Sequence, residues 1–67
     1  MRQNYRDRNG LLLGWSNRAG GRITGHNRNG RLVGWFDIVR SETRDRDGRL
    51  VGFGDLLAAL ITSANQG

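Results

Sequence analysis

Short apolar stretches alternate with polar, glycine-containing stretches along most of the chain. Three segments align without gaps, at residues 5–15, 25–35 and 43–53. Each contains, in order, an Asp or Asn, an Arg, an Asn or Asp, a Gly, a variable residue, a Leu, a Leu or Val, a Gly and an aromatic residue. A fourth, degenerate copy spans residues 17–26, with Gly21 inserted. This pattern predicts a fold built from one repeated hairpin.

The polar stretches carry a strong turn signal. Asn-Gly or Asp-Gly between apolar stretches is typical of hairpins, because the turn requires a positive φ that Gly adopts at little cost. An Asp or Asn two residues earlier can accept hydrogen bonds from the turn amides. We expect turns at residues 8–10, 19–21, 28–30 and 46–48, with a further turn at 38–41. They leave room for six strands, at residues 3–7, 11–16, 22–27, 31–37, 41–45 and 49–53.

Alternation along these strands predicts which residues share a face. Leu11, Leu13 and Trp15 are expected on one face, and Val33 is expected beside Trp35. Both faces are partly apolar, whereas a sheet with one face in water alternates more cleanly. We therefore expect a sheet that is covered on both sides or curled on itself.

Glycine recurs inside three of the predicted strands, at Gly14, Gly34 and Gly52. Glycine within a strand often marks the close approach of another group. We expect these glycines to make room for a neighbouring aromatic side chain.

The period of the apolar residues changes at the C-terminal end. Asp55 is a suitable N-cap for a helix over residues 55–64. The residues that would form its apolar stripe are Leu56, Leu57, Leu60, Ile61 and Ala64. So short a helix must pack against the sheet or a partner subunit. The predicted fold is mainly β: a single domain over residues 1–67, with hairpin repeats over 5–53 and one C-terminal helix.

The repeats and the C-terminal segment resemble a known group. Asp-Arg-Asn-Gly, Asp-Arg-Asp-Gly-Arg-Leu-Val-Gly and Gly-Asp-Leu-Leu-Ala-Ala-Leu-Ile are similar to segments of the small bacterial four-fold β-flower proteins, and the resemblance covers residues 5–61. Asn-Arg-Asn-Gly-Arg-Leu is also similar to the YD repeats of large bacterial toxins. The β-flower resemblance implies hairpins arranged about a pseudo-symmetry axis, and it implies no activity and no site.

Size and composition limit how the chain can be stabilised and where it can be located. A chain of 67 residues buries only a small core, and the absence of Cys removes disulfides and Cys-based zinc sites. We therefore expect a homo-oligomer. No apolar run approaches the roughly 20 residues that span a bilayer. The polar N-terminus lacks the apolar core of a signal peptide, so a cytoplasmic location is expected.

The charge balance raises nucleic acid as a partner. All eleven basic residues are arginines, against six acids, for a net charge of +5. Arginine suits bidentate contacts to phosphate. The candidate phosphate contacts, in or beside the turns, are Arg8, Arg18, Arg28, Arg31, Arg46 and Arg49. Trp15 and Trp35 are candidate stacking surfaces if exposed. Alternatively, both Trp lie in the core and the arginines form a solvated surface that guards the sheet edges.

No catalytic pattern emerges. His26, the single histidine, takes the aromatic position of the degenerate repeat, which favours a structural role. The Ser and Thr residues form no nucleophile–base arrangement with it, and the glycines do not form a phosphate-binding loop. We predict no cofactor and no metal. The predicted function is a non-enzymatic structural or interaction module that self-assembles and binds another protein. The alternatives are nucleic-acid binding through the turn arginines and glycan binding by the repeats.

Overall fold

The computed structural model describes residues 2–64 of the chain. Six strands form one antiparallel sheet, and each strand pairs with the next along the chain. The elements are β1 (Arg2–Arg6), β2 (Leu12–Ala19), β3 (Arg22–Asn27), β4 (Leu32–Asp37), β5 (Glu42–Asp45), β6 (Leu50–Phe53) and α1 (Leu57–Ala64). The predicted fold class, a six-stranded meander with one C-terminal helix, is confirmed.

Three hairpin turns at one end of the sheet are copies of one another. In the first, Asp7 Oδ1 accepts hydrogen bonds from the backbone N–H of Asn9 at 2.8 Å and of Leu11 at 3.0 Å. Gly10 then adopts a φ of +83°. The same contacts and positive φ values occur at the equivalent pairs, Asn27 with Gly30 and Asp45 with Gly48. The repeated Asx and Gly residues are thus explained by the turns. The predicted turns at the other end, near residues 20–21 and 38–41, are also present.

Each of these three turns is followed by a bulge that the sequence did not reveal. Tyr5 pairs with Gly14, whereas the next residue, Arg6, pairs with Leu12, so Leu13 is an inserted residue in β2. A bulge of this kind shifts the alternation of side chains by one position. The inserted residues at the equivalent places in the other repeats are Val33 and Val51.

The bulges change which side chains share a face. A Cβ added to Gly25 would lie 3.5 Å from Val33 Cγ2 and 3.1 Å from Leu57 Cδ2, so Val33 lies on the face that α1 covers. Trp35 lies next to Gly34 in β4 and pairs with Thr24, on the opposite face. The prediction that Val33 shares a face with Trp35 is therefore wrong, because the inserted residue breaks the strict alternation on which it rested.

The helix packs into a row of glycines. A Cβ added to Gly34 would lie 2.7 Å from Leu60 Cδ1, and one added to Gly52 would lie 2.8 Å from Leu56 Cδ1. Gly14 stands in the same relation to Ile61 Cγ2. These glycines do make room for a neighbour, as predicted, but the neighbour is the helix rather than an aromatic ring.

Hydrogen bonds fix where the helix begins. Asp55 Oδ1 accepts a hydrogen bond from the Leu57 backbone N–H at 3.1 Å, as expected of an N-cap. Thr43, which is fully buried, donates its hydroxyl to Gly54 O at 2.6 Å and accepts from the Leu56 N–H at 3.0 Å. β5 therefore holds the connection between the sheet and α1.

The core is small. In the described part of the chain, Leu57 and Ile61 are the buried hydrophobic residues, and both are 0% exposed. Ser16 and Thr43 are the buried polar residues. Both of these buried hydrophobic residues belong to α1, the short helix on one face of the sheet.

Candidate functional site

The sheet face opposite α1 is covered by no other element within residues 2–64. We call it the open face. The side chains that matter for its chemistry are Arg2, Trp15, Arg22, His26, Trp35 and Arg44, which strand alternation places opposite the glycines beneath the helix. It combines aromatic rings with guanidinium groups on adjacent strands.

Trp15 lies between a histidine and an arginine. Its ring stacks on that of His26 with centroids 5.6 Å apart and planes inclined by 23°. The guanidinium carbon of Arg2 lies 4.2 Å from the Trp15 ring centroid. Since β1 and β3 flank β2 on opposite sides, Arg2 and His26 reach the indole from opposite directions. Arg2 Nε also donates to Asn4 Oδ1 at 3.2 Å, which orders its side chain.

Trp35 makes the second arginine–tryptophan pair. The guanidinium carbon of Arg22 lies 4.9 Å from the Trp35 ring centroid. On the other side, Arg44 is the cross-strand neighbour of Trp35, and its guanidinium donates to Gly48 O at 2.8 Å and pairs with Glu42 at 3.4 Å. The Arg44 guanidinium is therefore fixed by contacts within the protein, whereas the guanidinium N–H groups of Arg22 make no hydrogen bond to any described residue.

His26 departs from the repeat in a way that leaves a polar atom without a partner. His26 is also the second residue of the repeat at residues 25–35, and the residues at that position in the other two ungapped repeats, Arg6 and Arg44, each donate to the carbonyl of their own turn glycine, at 3.0 Å and 2.8 Å. His26 instead stacks on Trp15, and its buried Nδ1 has no hydrogen-bond partner among the described residues. The contact with Trp15 agrees with the predicted structural role.

The arginines predicted as phosphate contacts do not form a single cluster. Arg18 pairs with Ile23 on the helix-side face, near the opposite end of the sheet from the three equivalent turns. The other five all lie in those turns: Arg8, Arg28, Arg31, Arg46 and Arg49. All six are exposed, and none donates a side-chain hydrogen bond within residues 2–64. The structure brings five of the six to one end of the sheet.

Sequence reasoning placed no arginine over a tryptophan, whereas Arg2 and Arg22 lie over Trp15 and Trp35. The signal that could have found these pairs is an arginine on the strand next to each tryptophan. That signal identifies the right arginine only when the register between the two strands is known. Trp15 and Trp35 are half-buried, and both lie on the open face.

The two edges of the sheet differ in character. β1 is polar, with the sequence Arg-Gln-Asn-Tyr-Arg. β6 exposes Leu50, Val51 and Phe53, with 46%, 42% and 73% of their surfaces accessible. Its outer edge pairs with no described strand. An apolar strand with a free edge can pair with a further strand.

A shallow groove of about 420 Å³ lies between two of the equivalent turns and α1. Its lining mixes carboxylates of Asp45 and Asp47 with the guanidinium groups of Arg31 and Arg46. Over residues 2–64, no group of three or more His, Asp or Glu residues is placed to hold a metal ion. No helix in that range is long and apolar enough to cross a membrane.

The site thus offers two surfaces, an apolar strand edge at β6 and the open face with its arginine–tryptophan pairs. The first is defined by the exposure of its apolar side chains, and the second by the ring contacts of its two tryptophans. Comparisons of the chain with protein-family models, with curated proteins and with solved structures found no match.

Proposed function

We propose that the protein is a non-enzymatic interaction module that associates with itself through the edge of β6. The observation that supports this most directly is the exposure of Leu50, Val51 and Phe53 on a strand with a free edge. A monomer in solution would leave this apolar strand in water. Natural sheets normally protect such an edge with charges, Pro or a covering element.

The chemistry of β6 favours a second copy of the same strand as its partner. β6 carries no charged residue, whereas β1 carries Arg2 and Arg6. A two-fold axis perpendicular to the sheet would pair β6 with its own copy in antiparallel fashion and close the assembly at a dimer. Each apolar edge would then be covered, and the polar β1 edges would face water.

The small core gives this association an energetic role. Leu57 and Ile61 are the buried hydrophobic residues of the described chain, and a domain of this size is marginal without additional burial. Each Å² of apolar surface removed from water contributes about 25 cal/mol. Burial of Leu50, Val51 and Phe53 would therefore stabilise the fold as well as join the copies.

Sedimentation equilibrium of the chain and two variants tests the proposal. We expect a concentration-dependent dimer for the unmodified chain and a monomer for Phe53→Lys, because lysine on an edge strand opposes pairing. Leu11→Lys is the matched control, since Leu11 is 62% exposed in the first turn, at the other edge of the sheet. It should associate like the unmodified chain. A monomeric unmodified chain, or equal effects of the two lysines, would contradict the proposal.

Three further expectations stay predictions. The first is membership of the β-flower group, with hairpins about a pseudo-symmetry axis. The second is a cytoplasmic location. The third concerns glycans: we expect no binding on a glycan array, and a specific hit there would favour the ligand-binding alternative.

A further inference from the structure

We propose that the open face binds single-stranded nucleic acid, with Arg2 and Arg22 as phosphate contacts and Trp35 as a stacking surface. This binding is separate from the self-association at β6. The phosphate contacts are then two strand arginines that lie over tryptophans, and not the turn arginines that the sequence suggested.

The open face carries more arginines than carboxylates. Glu42 is paired with Arg44 at 3.4 Å. Asp37 is the cross-strand neighbour of Arg22, yet its Oδ1 accepts hydrogen bonds from the backbone N–H groups of Val39 and Arg40, and no ion pair joins it to Arg22 in the described structure. The Arg22 guanidinium therefore remains available to an external anion, as do the terminal NH2 groups of Arg2, whose Nε donates to Asn4.

Contact with tryptophan prepares these two arginines for binding. An arginine lying over an indole keeps its charge, and the fork of N–H groups along its rim suits a phosphate. Contact with the ring also restricts the side chain before a ligand arrives, which lowers the entropy lost on binding. Arg2 and Arg22 lie 4.2 Å and 4.9 Å from their ring centroids, close enough for this interaction.

The spacing of the two pairs suits a chain of phosphates better than a single small anion. Trp15 lies on β2 and Trp35 on β4, two strand spacings apart, which is about 10 Å. Each pair therefore acts as a separate contact point on one surface. A polymer with repeated phosphates can bind both at once, and its bases supply the flat rings that tryptophan stacks on.

The two tryptophans do not contribute equally. Trp15 is flanked by Arg2 and His26, so its ring is already occupied on both sides. Trp35 has one guanidinium over its ring, from Arg22, and no ring contact with another described residue. Trp35 is therefore the surface that an unpaired base reaches. Bases in a duplex are already stacked on one another, which favours a single strand as the ligand.

Fluorescence anisotropy with a fluorescein-labelled oligothymidine tests the proposal, with Arg22→Gln and Arg18→Gln as matched variants. Both remove one exposed arginine, but Arg18 lies on the helix-side face. Affinity for single strands scales with salt to about the −0.7 power per phosphate contact, so Arg22→Gln should weaken binding about eightfold at ~50 mM salt and lower the salt slope by about 0.7. Arg18→Gln should change affinity by less than about twofold, because its guanidinium makes no phosphate contact.

A second readout tests stacking. In a Trp15→Phe variant, the remaining indole is Trp35, and its fluorescence should be quenched along the same binding curve as the anisotropy. Far-UV circular dichroism of each variant checks that it is folded. Heparin, a polyanion without bases, serves as the comparison ligand and should not quench Trp35.

The proposal would be overturned if the oligonucleotide did not bind at low salt, or if Arg18→Gln and Arg22→Gln weakened binding equally. It would also be overturned if heparin bound with the same affinity as the oligonucleotide and quenched Trp35 to the same extent. Finally, loss of binding in an Arg28→Gln/Arg46→Gln variant, with normal binding by Arg22→Gln, would assign the contact to the turn arginines.

Discussion

Substituting Gly34 with alanine tests whether the glycine row is what allows α1 to pack on the sheet. The added Cβ would overlap the carbonyl oxygen of Arg44 on the neighbouring strand and would lie 2.7 Å from Leu60 Cδ1 and 3.1 Å from the Asp45 Cα. Leu60 can rotate away, but Arg44 O and Asp45 Cα belong to the backbone of β5. The methyl group therefore fits only if β4 and β5 move apart.

The size of the effect follows from this geometry. Overpacking a well-packed site costs about 1–3 kcal/mol, and backbone movement places Gly34→Ala near the top of that range, at about 3 kcal/mol. The free energy of unfolding of folded domains is about 0.05–0.15 kcal/mol per residue, which gives roughly 3–10 kcal/mol for a chain of this length. The substitution should therefore remove about 30% or more of the free energy of unfolding.

Urea unfolding followed by far-UV circular dichroism measures the loss, with Gly21→Ala as the matched control. Gly21 lies in the turn between β2 and β3, has no positive φ, and a Cβ there would meet only Val39 Cγ2 at 3.9 Å. Alanine at such a position is neutral or stabilises by about 0.4–1 kcal/mol, through the unfolded chain. If Gly34→Ala unfolds within about 0.5 kcal/mol of the unmodified chain, the size of a surface substitution without structural consequence, the glycine row is not required.

Two further substitutions test single hydrogen bonds by the same urea measurement. His26→Arg restores the residue found at this position in the other repeats; donation to the Gly30 carbonyl and removal of the unpartnered Nδ1 should raise stability by about 1 kcal/mol. A lower midpoint would show that the stack on Trp15 matters more. Thr43→Val removes the hydroxyl that bonds Gly54 O and the Leu56 N–H, and should cost about 1–3 kcal/mol. An unchanged midpoint would mean that this link does not hold the helix start.

The sequence predicts the turns better than the faces. Asx and Gly at fixed spacing determine the turn at residues 7–11 and its two copies, because the Asx oxygen accepts the amide hydrogen bonds and Gly adopts the positive φ at little cost. The bulge residues Leu13, Val33 and Val51 look like any strand residue, so nothing local marks the shift in alternation. The sheet face on which Val33 lies therefore could not be predicted from the sequence.

The open face was harder to predict for a related reason. Arg2 and Trp15 meet because β1 and β2 pair in a register that depends on the bulge at Leu13. Arg22 and Trp35 meet across β3 and β4, whose register depends on the bulge at Val33. Composition indicated arginine and tryptophan as candidates, but only the register shows which of them lie together.

Hydrogen exchange at the Phe53 amide tests the proposed self-association most directly. The Gly54 N–H donates to Ser41 O at 2.7 Å, on the side of β5, and successive amides in a strand point in opposite directions, so the Phe53 N–H points to the free edge. If β6 pairs with its own copy, this amide is protected at high protein concentration and exchanges faster on dilution. Rapid exchange of the Phe53 amide at every concentration, with the β3 and β4 amides still protected, would contradict the account.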